Sequence, residues 1–375
     1  MISLYLHVPF CRQKCNYCDF ASVVVPHTFF NRYIDALRRE ITTISLRYKN
    51  ISVSSLFIGG GTPTLLPAPL LCNLIKDTLL AFTFIQGAEI TVEANPGTVN
   101  EQYFHQLLAV GVTRLSLGVQ SFCENDLNVL GRIHRASEAK EAFAAARRAG
   151  FPNINLDLMY GLPGQTEKKW KNSLLQAVHM GPEHLSLYQL IVEERTPLRL
   201  TLAEGRLVLP EDWEILAMDD ITEDLCRTFG YEHYEISNYA QPGYSCRHNC
   251  NYWHNGEYAA CGAAAVSYQD GSREKREPDP FRYVTLVENG SSPLVERERL
   301  SEEESFRESI VLGLRMVGGL ERALLKRRFG FDVCTYYGSV LERLIDQELV
   351  ELSATHLRLT KLGRRFANIV MADLV

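Results

Sequence analysis

Ser3-Leu4-Tyr5-Leu6-His7-Val8 runs through Pro9-Phe10 into Cys11-Arg12-Gln13-Lys14-Cys15-Asn16-Tyr17-Cys18, and this stretch decides how the rest of the chain is read. A strand-like run feeds directly into a loop of three thiols. Outward from it, short β-branched runs alternate with amphipathic stretches at intervals of about 30 to 35 residues, the signature of βα repetition. Strands are expected at residues 4–8, 53–58, 89–94, 114–119, 153–159 and 185–191. Helices are expected at residues 29–48, 68–81, 100–110, 136–149 and 167–179. Right-handed βα crossovers leave successive strands parallel. Six units are too few to close an eight-fold barrel, so the α/β fold expected is an open, partial (βα)6 barrel of TIM type, with its ligand at the C-terminal ends of the strands.

Polar and glycine-rich features fall on that rim. The second strand ends in Gly59-Gly60-Gly61-Thr62-Pro63, where missing side chains let the backbone approach a ligand closely. The third delivers Glu93 before Asn95-Pro96-Gly97, the fourth Gln120 with Ser121, the fifth Asp157 ahead of Tyr160-Gly161-Leu162-Pro163, and the sixth ends near Tyr188 and Gln189. Each alone also reads as a turn or helix cap.

The chain has ten cysteines. In a long, apparently cytosolic protein they do not suggest a disulfide framework. Cys72, Cys123, Cys226 and Cys334 stand alone in apolar or amphipathic stretches and read as small core residues. Cys11, Cys15 and Cys18 supply thiolates at Cys-x-x-x-Cys-x-x-Cys spacing, the ligands that iron–sulfur clusters take. Three ligands leave one iron of a cubane open to a small molecule. The competing assignment is zinc completed by His7, although structural zinc generally uses two paired knuckles.

Long local matches then resemble the radical S-adenosylmethionine superfamily. They are Leu4-Tyr5-Leu6-His7-Val8-Pro9-Phe10-Cys11, Glu93-Ala94-Asn95-Pro96-Gly97, Gly118-Val119-Gln120-Ser121-Phe122 and Asn155-Leu156-Asp157-Leu158-Met159-Tyr160-Gly161-Leu162-Pro163. Within the superfamily the chain looks like the group of oxygen-independent coproporphyrinogen III oxidases and HemW heme chaperones, and the likeness spans nearly its whole length. The resemblance implies a [4Fe–4S] cluster on Cys11, Cys15 and Cys18, with S-adenosylmethionine held by Tyr5, Gly60 and Glu93. Gln120, Arg132 and Asp157, with Tyr17, Gly61 and Thr62, match positions that contact a second S-adenosylmethionine in the oxidases. Val266, in Gly262-Ala263-Ala264-Ala265-Val266-Ser267-Tyr268, lies near a backbone contact to the same ligand. The chaperones commonly carry a histidine where this chain has Val266, which puts any role of that side chain in doubt.

Three features separate chaperone from oxidase. The oxidases carry a further cysteine two residues past the third ligand, and this chain has Cys18-Asp19-Phe20; they also have an N-terminal extension ahead of the first strand. His248-Asn249-x-x-Tyr252-Trp253 matches the chaperone signature. A histidine can ligate heme iron and the aromatics can pack on a porphyrin, so His248, Asn249, Tyr252 and Trp253 are the heme candidates. The same group also reads as a satisfied hydrogen-bonding corner. What the resemblance implies is a heme chaperone with an acceptor protein as partner, an electron donor if S-adenosylmethionine is cleaved, and at most peripheral contact with membrane proteins.

Domain organisation follows from a change of character after the signature. Residues 1–269 form the barrel and its extension, 270–300 a polar connection, and 301–375 a small α+β unit resembling a winged helix and assigned to covering the ligand site. The balance of 46% hydrophobic and 22% charged residues is that of an ordinary globular protein. No apolar run approaches a membrane span and no basic n-region opens the chain, so the cytoplasm is expected. A net charge of −6, with no basic recognition helix, disfavours nucleic acid as a partner and with it a radical enzyme acting on RNA.

Overall fold

The structure is a computed structural model describing residues 1–375. Its first half alternates β1 (Ile2–Val8), α1 (Thr28–Arg47), β2 (Ser52–Gly60), α2 (Ala68–Ala81), β3 (Thr83–Ala94), α3 (Glu101–Ala109), β4 (Arg114–Gln120), α4 (Glu124–Leu130), α5 (Ala136–Ala149), β5 (Ile154–Tyr160), α6 (Glu167–Met180) and β6 (His184–Gln189). β1 to β6 pair in sequence order, all parallel. Period two explains β1: Leu4, Leu6 and Val8 are fully buried in one core with Ile34, Leu37 and Ile41 of α1, while Ser3, Tyr5 and His7 take the alternate face. Helix starts are specified by polar caps, Asn100 accepting from Tyr103 N–H and Thr166 from Lys169 N–H. Gly150 and Gly181 end α5 and α6 in left-handed conformation.

The second half continues with α7 (Pro197–Ala203), α8 (Asp212–Thr228), β7 (Glu232–Glu235), β8 (Asn238–Ala240), α9 (Arg247–Trp253), β9 (Tyr258–Cys261), β10 (Val266–Gln269), β11 (Ser272–Arg276), α10 (Pro280–Glu288) and β12 (Leu294–Arg299). β9 pairs parallel with β1, making a seventh parallel strand that the sequence pattern did not suggest. The whole sheet runs β12-β11-β10-β9-β1-β2-β3-β4-β5-β6-β8-β7, and β12 and β7 do not pair, so the barrel is open as expected. Residues 270–300 are not a plain connection. They hold β11, α10 and β12, which extend the sheet edge, and their alternating charges (Ser272-Arg273-Glu274-Lys275-Arg276) suit a strand with solvent on one side.

The last unit comprises α11 (Glu302–Gly313), β13 (Leu320–Glu321), α12 (Arg322–Phe329), α13 (Val333–Tyr337), α14 (Ser339–Asp346), β14 (Val350–Leu352), β15 (His356–Leu359), α15 (Lys361–Arg365) and α16 (Ala367–Asp373). It has its own three-stranded sheet, β13-β15-β14, and a separate apolar core around Phe306, Leu344 and Leu357. It docks on the barrel's β7 edge, where Ile236 N–H donates to Arg315 O and Val317 N–H to Tyr234 O. It also packs on α9, with Asn255 Nδ2 donating to Ser309 Oγ at 2.9 Å. None of its residues lines the thiol cavity, so the expectation that it covers the ligand site is corrected. No helix of the chain is long and apolar enough to cross a membrane.

Candidate cluster and S-adenosylmethionine site

β1 delivers the thiol loop, and the loop is tied down on three sides. Cys11 N–H donates to Val23 O and Val23 N–H to Pro9 O, closing its base. His7 Nε2 lies 2.8 Å from Ala21 O. At the far side Asn16 N–H donates to Leu130 O and Asn16 Nδ2 to Val129 O, fixing the loop to the end of α4, while Leu198 N–H at the start of α7 donates to Asn16 O. Cys11, Cys15 and Cys18 are free thiols and all line one cavity of about 400 Å³ at the C-terminal ends of the strands. Burial raises the thiols of Cys11 and Cys18 above their ordinary pKa, so holding them as thiolates needs a compensating positive charge, which metal coordination supplies.

The glycine strand closes one wall. A Cβ at Gly61 would lie 2.6 Å from Phe10 O and 2.9 Å from Cys11 Sγ, and one at Gly60, whose φ is +121°, would lie 2.8 Å from the His7 ring. Only glycine lets this backbone lie against the thiol loop. Thr62 Oγ1 reaches Cys11 Sγ at 4.0 Å. Glu93 rises from β3 on the floor and accepts from Gly60 N–H at 3.1 Å. Burial, reinforced by the negative charge of Asp157, pushes its carboxyl up to about 8. Asp157 is raised by burial as well, against hydrogen bonds from Asn155 Nδ2 at 2.7 Å and Ser116 Oγ at 3.3 Å. Gln120 ends β4 with φ +67°, a conformation non-glycine residues avoid and which turns the chain at the rim. Arg132 spans floor and loop, its Nη2 donating to Gly118 O at 2.7 Å and its Nη1 to Cys15 Sγ at 3.5 Å.

Tyr17, Gly60, Gly61, Thr62, Glu93, Gln120, Arg132 and Asp157 therefore line the cavity with the three thiols. Tyr5, Val266, His248, Asn249, Tyr252 and Trp253 do not. Tyr5 packs on Phe57, with its hydroxyl 3.0 Å from His7 Nδ1. Val266 pairs with Lys275 in the β10–β11 hairpin. Asn95, at the rim turn expected from sequence, lines the cavity as well, and Ser116, Thr98, Ile133 and Ile191 do so without having been singled out from sequence. Ser116 stands two residues before Gly118 on β4, so the strand alternation was a usable signal for it.

His248, expected as a heme candidate, lies in the framework of the fold. His248 is 1% exposed, with Nδ1 2.9 Å from Ser55 Oγ and Nε2 2.9 Å from Tyr252 Oη, so both nitrogens are engaged within the chain. The carboxylate of Glu89 accepts from the backbone N–H of Arg247 and His248 at 3.1 Å each, anchoring α9 inside the sheet. Burial, with Arg114 nearby, lowers the imidazole to about 3 and keeps it neutral. Tyr252 completes this corner. Trp253 carries the Arg315 guanidinium 4.4 Å from its ring centre, tying α9 to the last unit, and Asn249 sits half-buried on the same helix. The signature thus serves as framework in this conformation.

Residues 5–177 match the radical SAM superfamily model and residues 300–366 the HemN C-terminal domain model. The chain is 34% identical over 371 residues to heme chaperone HemW of Bacillus subtilis, covering 98% of this chain and 97% of that one. It is 41% identical over 299 residues to heme chaperone HemW of Escherichia coli, covering 77% of each chain. The chain belongs to the HemW family, within the radical SAM superfamily. The fold is also that of the coproporphyrinogen III oxidase HemN of Escherichia coli, with a TM-score of 0.87 at 23% identity over 100% of this chain and 89% of that chain.

Membership implies a [4Fe–4S] cluster and S-adenosylmethionine, and the residues present fit both. No three His, Cys, Asp or Glu side chains converge closely enough to hold a single metal ion. Three thiols spread round one loop instead suit a cluster whose separate irons each take one thiolate. The glycine wall and the polar floor leave room beside them for a ligand with both charged and neutral polar groups.

Proposed function

We propose that the chain binds heme and transfers it to an acceptor protein, and that it carries a [4Fe–4S] cluster on Cys11, Cys15 and Cys18 with exchangeable S-adenosylmethionine. The observation that carries this reading is the match along 98% of the chain to a relative named as a heme chaperone. The thiol cavity is consistent with it. A cluster there would offer one open iron, a site at which a small amine and carboxylate can coordinate. Gly60 and Gly61 would present backbone to the methionine end of S-adenosylmethionine, and Glu93 would accept from its polar nucleoside groups. Arg132, held against Cys15 and Gly118 O, would fix the thiol loop relative to the floor. The cytoplasm remains the expected compartment.

The second reading is an oxygen-independent coproporphyrinogen III oxidase, favoured by the shared fold. Phe20 argues against it, since it stands where the oxidases carry a further cysteine. One anaerobic preparation decides between the two. The reconstituted chain should bind hemin and give no protoporphyrinogen from coproporphyrinogen; turnover without hemin binding would reverse the assignment.

A further inference from the structure

The thiol cavity changes character toward solvent. Its floor is polar, but its mouth carries Phe20, Ile133 and Ile191, which are 70%, 39% and 65% exposed. They come from three separate segments, the thiol loop, the α4–α5 connection and the chain after β6, and none belongs to an apolar core. Large apolar side chains gathered round one opening mark a surface that a ligand covers. Arg12 and Lys14 line the same mouth, exposed, and neither side chain makes an ion pair or hydrogen bond within the chain. Asp19 and Glu193 share the rim, so the positive pair is local to the Cys11–Cys15 side. No histidine or methionine lines the cavity, and its three cysteines are committed to the cluster under the reading above.

We propose that this mouth seats a porphyrin by its flat apolar face, Phe20, Ile133 and Ile191 lying against the macrocycle and Arg12 and Lys14 toward its carboxylates. The seat recognises the ring and its anionic edge, not the iron. The proposal rests on the heme-handling reading and says where and by what chemistry heme is held. A rigid, planar, anionic ligand fits three apolar side chains round one opening with a local basic pair. An extended protein surface would be expected to bury apolar residues well beyond the cavity.

The test uses the full-length, cluster-loaded chain with hemin and metal-free protoporphyrin IX as probes, followed by absorbance and fluorescence titration. Wild type is expected to bind both with comparable affinity. The double variant Phe20→Asp/Ile191→Asp should weaken both by about tenfold or more, the effect of removing two apolar side chains from a contact. Its circular dichroism spectrum and its urea unfolding midpoint should be unchanged, which controls for folding. Arg12→Glu/Lys14→Glu should weaken both probes and flatten the salt dependence. Hemin binding without metal-free porphyrin binding, or full affinity for both in the Phe20/Ile191 variant, overturns the seat. A variant that binds both normally but no longer delivers hemin to an acceptor assigns the mouth to the acceptor protein and also overturns it. Wild type that binds neither probe removes the heme reading itself, a result distinct from these.

Discussion

Single side chains here are set by neighbours distant in sequence, and that decides what could be read in advance. Cys11, Cys15 and Cys18 are a local pattern and were legible. The state of His248 was not, because it depends on Ser55 and Glu89, which reach it from β2 and β3. His248→Ala should destabilise the chain by about 1–3 kcal/mol in urea unfolding, since it leaves Tyr252 Oη without its partner and Ser55 with Ser3 Oγ alone. Hemin stoichiometry should not change; a lost heme spectrum would restore His248 as a ligand. Glu93 gives a pH signature. Its carboxyl sits at about 8 in the fold against an ordinary value of 4.5, so between these values the folded chain holds a proton that the unfolded chain releases. Stability of the ligand-free chain should therefore be fully present below pH 4.5 as far as this group is concerned, and fall as pH rises toward 8. Glu93→Gln should flatten that slope by up to roughly a few kcal/mol, as denaturant midpoints at successive pH values would reveal.

At the scale of elements, the six parallel strands followed from alternation and turn chemistry, and their order matched the sequence. β9 was missed because Tyr258-Ala259-Ala260-Cys261 is short and carries small side chains, and its place beside β1 comes from pairing, not propensity. The antiparallel pair of β11 and β12, joined through α10, was missed because exposed strands rich in charge look like linkers. The end of α4 against the thiol loop was not legible either, since nothing local links Asn16 to Gly131. A Cβ at Gly131, where φ is +69°, would lie 2.8 Å from Asn16 Cγ. Gly131→Ala should cost about 1–2 kcal/mol and hasten loss of iron to a chelator, because both the backbone conformation and the loop contact suffer. Adding Asn16→Ala should recover part of the iron retention by relieving the clash, a non-additivity that a double-mutant cycle measures.

Across the whole molecule, the barrel and the last unit are joined by a junction of β7, α9 and ion pairs between α8 and α15, Arg365 with Asp219 among them. Arg315 is central to it, lying over Trp253 and offsetting the buried carboxyl of Glu235, which burial raises to about 7. Arg315→Ala should cost about 2–4 kcal/mol by leaving Glu235 without its compensating charge, and should make the connection near residue 300 more readily cleaved by protease. The cavity lies outside this junction, so cluster content should survive the substitution. The central claim is that three thiols hold a cluster with one iron open to S-adenosylmethionine, and low-temperature electron paramagnetic resonance of the reduced, anaerobically reconstituted chain tests it most directly. With about four irons bound per chain, a [4Fe–4S] signal should appear and shift on adding S-adenosylmethionine. A chain holding zinc, or a cluster signal that S-adenosylmethionine leaves unmoved, would contradict it.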